Sequence, residues 1–217
     1  MVSKTPTRRP LKTRDTGWAR KLSQWLVQRQ VSPNHISLAS LGFASTGAAA
    51  FLFASSAAPG VRASLFLVAA VCIQLRLLCN LLDGMVAVEG GLGSAVGEIY
   101  NDLPDRIADP LLIVPAGYAS GLALGPELGW TAGLLAVMTA YIRLLGASTG
   151  LPQSFQGPMA KPQRMATMTL ASVGAALAVP AGTDGALLTI GLLVVTIGAL
   201  FTLVGRTRVI VQGLSTR

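Results

Sequence analysis

Six apolar runs, near residues 36–54, 63–83, 97–119, 128–147, 165–181 and 186–205, dominate this chain. A hydrocarbon core of about 30 Å takes roughly 20 helical residues to cross, so each run is of spanning length. Lipid offers no partner for a bare peptide group, which leaves helices as the form such runs take. The expected fold is therefore an all-α integral membrane protein with six transmembrane helices. Composition agrees: the chain is 52% hydrophobic and 12% charged, with a mean hydropathy of +0.59, too apolar for an ordinary soluble domain.

Orientation follows from Lys and Arg. Lys4, Arg8, Arg9, Lys12, Arg14, Arg20, Lys21 and Arg29 precede the first run, Arg143, Lys161 and Arg164 flank the fourth connection, and Arg206, Arg208 and Arg217 end the chain. The alternate connections hold only Arg62. By the positive-inside rule both termini are cytoplasmic. The first 35 residues carry no short apolar leader, which fits an N-terminus that stays there. The net charge of +8 is then mainly a topology and anionic-lipid signal rather than a nucleic-acid one, with Trp18 and Trp25 among the basic residues suited to headgroup depth.

Three segments follow. Residues 1–15, basic and rich in Pro and Thr, are expected to form a disordered tail. In residues 16–30, Trp18, Leu22, Trp25 and Leu26 share one helical face with Arg20, Lys21, Gln24 and Gln28 largely opposite, the pattern of an interfacial amphipathic helix. Residues 31–210 make the six-helix transmembrane domain. Cys72 and Cys79 lie inside the second run, where they read as packing residues.

Against this apolar background the polar residues stand out. Six of the nine acidic residues fall between 83 and 109. At about 100° per residue, Asn80, Asp83, Gly84 and Ala87 share one helix face, and Glu98, Asn101, Asp102 and Asp105 share another. Two such faces meeting would form an oxygen-lined pocket. Ionisable groups at membrane depth cost about 2.5–3.5 kcal/mol each on insertion scales, so the cluster needs compensation. A hard divalent cation, Mg²⁺ or Mn²⁺, one ion or two, is the natural candidate.

These residues resemble the CDP-alcohol phosphotransferase family, whose motif reads D-x-x-D-G-x-x-A-R, eight residues, G-x-x-x-D-x-x-x-D. The same spacing here carries Asn80, Asp83, Gly84, Ala87 and Val88, then Gly97, Asn101 and Asp105. Two aspartates are thus amides, and the arginine is a valine. The segment SPNHIS before the first run is also similar to the family's entry to its first span.

The resemblance implies transfer of a phosphatidyl or related phosphoryl-alcohol group from a CDP-alcohol, such as CDP-diacylglycerol, to a hydroxyl acceptor with release of CMP. Asp105 and Asp83 would be catalytic. Metal ions would be held by Asp83, Asp105, Asn80 and Asn101, with Glu98 and Asp102 replacing the lost carboxylates. Asn80, Gly84, Ala87, Gly97 and Arg76, the last in place of the missing arginine, would border the nucleotide. Arg143, Lys161 and Arg164 would meet the acceptor or lipid phosphate. Implied partners are the CDP-linked lipid, a small alcohol or phospho-alcohol, membrane lipids and a second copy of the chain, in a bacterial inner membrane with the site cytoplasmic. Two other classes make different demands: an ion-coupled transporter needs polar groups along a path through the bilayer, and a non-catalytic nucleotide- or lipid-binding relative needs no working base.

The charge pattern predicts that the connections after the second and fourth runs face the cytoplasm, with Arg62 and Glu127 outside. Single-cysteine labelling of intact cells, in a background lacking Cys72 and Cys79, should protect a cysteine at position 91 from an impermeant reagent; ready external labelling there inverts the topology.

Overall fold

A computed structural model describes residues 16–92 and 96–216. The expected disordered tail, residues 1–15, falls outside the described residues, as does the side chain of Glu98. Among the described residues there are seven α-helices and no strand: α1 Gly17–Gln28, α2 Pro33–Ala54, α3 Pro59–Glu89, α4 Gly97–Ala119, α5 Gly125–Ser148, α6 Lys161–Ala178 and α7 Asp184–Ser215. Prolines open several of them. Pro33 and Pro59 begin α2 and α3, where a missing N–H costs nothing. A short 3-10 turn, Val179–Ala181, ends at Gly182, whose φ of 65° lets the chain reverse into α7.

Length and hydropathy single out five helices able to cross a membrane: α2, α3, α5, α7 and α6 with its 3-10 extension. The sixth expected run is α4. It has the length, 23 residues, but Asp102, Asp105, Arg106 and Asp109 break its apolar character. Two helices also outrun their apolar stretches, α3 to Glu89 and α7 to Ser215, because helical hydrogen bonding continues where hydrophobicity stops.

Helix α2 packs on α3 and α4, α4 on α5, α3 on α6, and both α5 and α6 on α7. Phe51, Phe66, Ile73, Leu112, Ile113, Met165, Met168, Leu188 and Leu192 fill the interior with no exposed surface. Lipid is as apolar as these side chains, so close packing, not water exclusion, holds such helices together. Small residues provide it. A Cβ on Gly47 of α2 would stand 2.7 Å from Leu112 Cδ2 and 3.1 Å from the Cβ of Cys72, so α2, α3 and α4 converge there, and Cys72 has the packing role expected of it.

Helix α4 carries Pro104, Pro110 and Pro115 in its interior. Each removes one intrahelical hydrogen bond, a cost that neighbouring helices offset in a membrane bundle. Facing it, α5 presents Gly125, Gly129 and Gly133, and a Cβ on Gly133 would lie 3.3 Å from Pro110 Cβ. Helix α1 rests on α3 through Leu22, Leu26 and Val27, which pack near Leu82 and Val86, and Ser23 donates to Glu89 Oε2 at 3.4 Å. Trp18 and Trp25 remain half exposed.

A close helix approach gives a stability test. A Cβ on Gly117 of α4 would sit 2.3 Å from the Gly125 carbonyl oxygen, whereas one on Gly42 meets nothing within 4 Å. Gly117→Val should therefore cost about 1–3 kcal/mol or more through overpacking. Gly42→Ala should be neutral or slightly stabilising from helix propensity. Thermal unfolding in detergent compares the two, and equal midpoints would contradict this packing.

Candidate active site

The C-terminal half of α3, the N-terminal half of α4 and the start of α6 bring their polar residues together. On α3, Arg76, Asn80 and Asp83 lie three to four residues apart and so face one way; on α4, Asp105 and Asp109 do the same. The two helices are tied directly. Asn80 Nδ2 donates to Asp105 Oδ1 at 2.8 Å, and Arg76 Nη2 donates to the same oxygen at 3.1 Å. Lys161, the first residue of α6, pairs its ammonium with Asp105 Oδ2. Both carboxylate oxygens of Asp105 are therefore occupied by protein donors.

One turn deeper, Asp109 is held by two guanidinium groups, Arg76 Nη2 at 2.6 Å from Oδ1 and Arg164 Nη2 at 2.5 Å from Oδ2. Arg164 also donates to Thr139 Oγ1 at 3.2 Å and the Met159 carbonyl at 3.1 Å. Asp83 accepts from Ser37 Oγ of α2 at 2.7 Å and from the Gly84 N–H at 2.5 Å. It lies within electrostatic reach of Lys161 and Asp105. Arg76 is wholly buried, and Asp83, Asp105, Asp109 and Arg164 are each 8% exposed or less. Three acids, Asp83, Asp105 and Asp109, face three bases, Arg76, Lys161 and Arg164, and their formal charges cancel. At an effective dielectric near 20, opposite unit charges about 4 Å apart attract by about 4 kcal/mol, which is why such a cluster survives burial.

The segment before α6 is fixed from behind. Arg206 of α7, 5% exposed, donates through Nε to the Gln156 carbonyl at 2.9 Å and through Nη1 to the Thr139 carbonyl at 2.6 Å. Thr202 Oγ1 accepts the Met159 N–H at 2.9 Å. Lys161 and Arg164 thus reach the acids from an anchored backbone. At the edge, Asp102 is shared by Arg106 at 3.1 Å and Arg143 at 2.9 Å, and Arg143 lies over the Phe155 ring, 5.3 Å from its centroid.

A sequence model of the CDP-alcohol phosphatidyltransferase family matches residues 30–205. The chain belongs to this family. Inner membrane protein YnbA of Escherichia coli (strain K12) is 30% identical over 145 residues, a match that spans 64% of this chain and 66% of that relative's length. Among solved structures, phosphatidylinositol phosphate synthase (PgsA1) of Mycobacterium tuberculosis with CDP-DAG bound is similar with a TM-score of 0.72 and 17% identity, over 88% of this chain and 92% of that one. The same protein in complex with manganese and citrate gives a TM-score of 0.73, 17% identity and 88% coverage of each. The fold is that of these membrane proteins, and the chain is a membrane protein of the transferase family named by the match.

Within the family motif, the structure brings Asn80, Asp83, Gly84 and Asp105 to one place, with Arg76, Lys161 and Arg164 beside them. Asn101 is exposed at the edge, Gly97 is half-buried, Ala87 is partly buried, and Val88, at the family's arginine position, points outward at 58% exposure. Arg76 pairs with Asp105 and Asp109, not with Asp83. Asp102 is engaged by Arg106 and Arg143. Sequence reading overlooked Asp109, Arg206 and Ser37. Asp109 was discoverable, since it continues the Asp105 face one turn on, whereas the inward turn of Arg206 has no local signature.

Metal chemistry at this motif asks for carboxylate oxygens with open lone pairs. Asp105 accepts three donors and keeps one lone pair, on Oδ2, Asp83 already accepts two hydrogen bonds, and Asn80 turns its NH₂ group, a donor, toward Asp105. Among the described residues no group of three or more His, Cys, Asp or Glu is placed to hold a metal ion. A dication added to a cluster already neutral would be repelled by its bases. The described residues in this arrangement do not fit a resident two-ion centre.

The buried pair predicts a non-additive response. Arg164→Met leaves Asp109 with Arg76 as its remaining cation and should destabilise the protein by about 3–5 kcal/mol, the cost of breaking a buried pair. Adding Asp109→Leu should recover much of that loss. Thermal or denaturant unfolding in detergent across the cycle checks it, and simple additivity would show that the two side chains do not interact.

Proposed function

We propose that this chain transfers a phosphatidyl or related phosphoryl-alcohol group from a CDP-alcohol such as CDP-diacylglycerol to a hydroxyl acceptor, releasing CMP. The observation that carries this reading is the meeting of the α3 face of Asn80 and Asp83 with Asp105 of α4 at the family's spacing, through the Asn80–Asp105 hydrogen bond, buried and bordered by the cations of α6. In the reaction the acceptor oxygen attacks the phosphorus that bears the lipid alcohol. The bond from that phosphorus to the bridging oxygen breaks, and CMP leaves with the electron pair. Asp105 takes the acceptor's proton. Gly84 and Gly97 give the nucleotide room beside the backbone, and Asn80 borders it. Of the cations assigned to an acceptor or lipid phosphate, Arg143 lies outside the Asp105–Asp109 cluster, where a phosphate can compete for it with Asp102.

Helix α4 crosses the bilayer as a sixth span, shielded by α2 and α5, and α1 lies at the interface with Trp18 and Trp25 at headgroup depth. Both termini and the site face the cytoplasm of a bacterial inner membrane, where a soluble nucleotide product can leave, and the chain works as a homodimer. Manganese in a neighbour's structure supports a divalent ion in the family's chemistry, but the described residues of this chain are not arranged to hold one, and each step is carried by its own side chains. An ion-coupled transporter is disfavoured by the apolar layer of Phe66, Ile73, Leu112, Met168 and Leu192, which separates this site from the Arg62–Asp184 pair at the other end.

Purified protein given CDP-diacylglycerol and a panel of acceptors (glycerol phosphate, serine, inositol phosphate) should release CMP. Asp105→Asn should lower that release by about 100-fold or more, the range for a lost general base. An unchanged melting midpoint would show that the variant is folded. Near-normal turnover in Asp105→Asn would remove this mechanism, and a wild type that binds the donor but never releases CMP would support the non-catalytic relative.

A further inference from the structure

We propose that Lys161 is a tethered cation standing in the place of a divalent ion, so that this chain meets a diphosphate with its own ammonium and guanidinium groups. That the diphosphate belongs to a CDP-alcohol rests on the transferase reading above. The cation's place does not, because it is fixed in the protein alone.

Three observations converge on it. First, Asn80 and Arg76 fill Oδ1 of Asp105 and the Lys161 ammonium sits on Oδ2, so the one carboxylate oxygen with a lone pair to spare already faces a cation. Second, the exchange of acid for amide at position 80 fits the lysine. An aspartate there would repel Asp105 unless a cation stood between them, whereas the Asn80 amide donates straight to it at 2.8 Å. With a neutral amide at Asn80 and the ammonium of Lys161 on Asp105, the buried cluster is neutral. Third, Lys161 is not a loose side chain that happened to collapse onto an acid. It opens α6, and the backbone before it is fastened to α7 by Arg206 and Thr202. A lysine so placed is a point charge suited to phosphate oxygens.

Mn²⁺ titration of the purified full-length protein, followed by electron paramagnetic resonance without nucleotide, tests the cation directly. Wild type should bind Mn²⁺ weakly. Lys161→Met, which keeps the bulk of the side chain, should bind it about tenfold tighter or more, since affinity follows the net ligand charge. Adding Asn80→Asp should tighten it by a similar factor. Wild type binding Mn²⁺ as tightly as Lys161→Met would overturn the proposal, and so would tight binding by wild type itself, a result that needs no variant to fold.

A second arm measures CDP-diacylglycerol binding in EDTA and in Mn²⁺. Wild-type affinity should agree within about twofold between the two conditions, while Lys161→Met should lose about tenfold in EDTA and regain part of it in Mn²⁺. A wild type that binds the lipid only with Mn²⁺ overturns the tethered cation. Failure of the wild type to bind the lipid in either condition overturns the transferase reading instead, and the Mn²⁺ titration still decides the role of Lys161.

Discussion

Charge neutrality inside an apolar bundle governs this structure. Asp83, Asp105 and Asp109 are buried among helices whose other surfaces are alkyl, and isolated carboxylates there would not persist. Arg76, Lys161 and Arg164 answer them, two from α6 and one from α3 itself. Since each base satisfies an acid on α4, the cluster also fixes how α3, α4 and α6 stand relative to one another. Helix α4 depends on it most. Three internal prolines and a charged face would make it a poor helix alone, yet it lies between α2 and α5 with Asp102, Asp105 and Asp109 paired.

The packing around the cluster does different work. Glycines at positions 47, 117, 125, 129 and 133 let backbones approach to distances at which a single methyl group would collide. At the opposite end, Arg62 reaches Asp184 at 2.6 Å and the Ala119 carbonyl at 3.2 Å, tying the starts of α3 and α7 to the end of α4. An apolar layer separates the two polar ends. That division gives the bundle a rigid middle and one chemically furnished end, which is the arrangement an interfacial enzyme needs and a conduit does not.

Within its family this chain keeps the motif's spacing and alters its charge. Asn80 and Asn101 stand where the resemblance places aspartates, and Val88 faces outward where it places an arginine. Such changes could mark decay, but Asn80 is fully used as a donor to Asp105, and the cations nearby are anchored, not stray. Asp102, on the face of the motif acids, instead meets Arg106 and Arg143. The site is better described as re-balanced than as eroded.

Periodicity and spacing are local properties, and what they control was readable in the chain. The apolar runs, the helix expected within residues 16–30 and found at Gly17–Gln28, the common face of Asn80 and Asp83, the i to i+4 pair of Asp102 and Arg106, and the family register from Asn80 to Asp105 all follow from 3.6 residues per turn. Helix α4 has the expected length, while its charged face keeps it out of the five helices that length and hydropathy select. What the sequence left open is which cation meets which acid. Lys161 reaches Asp105 across 56 positions, Arg164 reaches Asp109 across 55, and Arg206 reaches the Thr139 carbonyl across 67. All three read equally well as positive charges on the cytoplasmic side. Only the docking of α6 and α7 onto α3, α4 and α5 turns them inward, because a charge excluded from lipid takes whichever opposite partner the packed helices bring within reach.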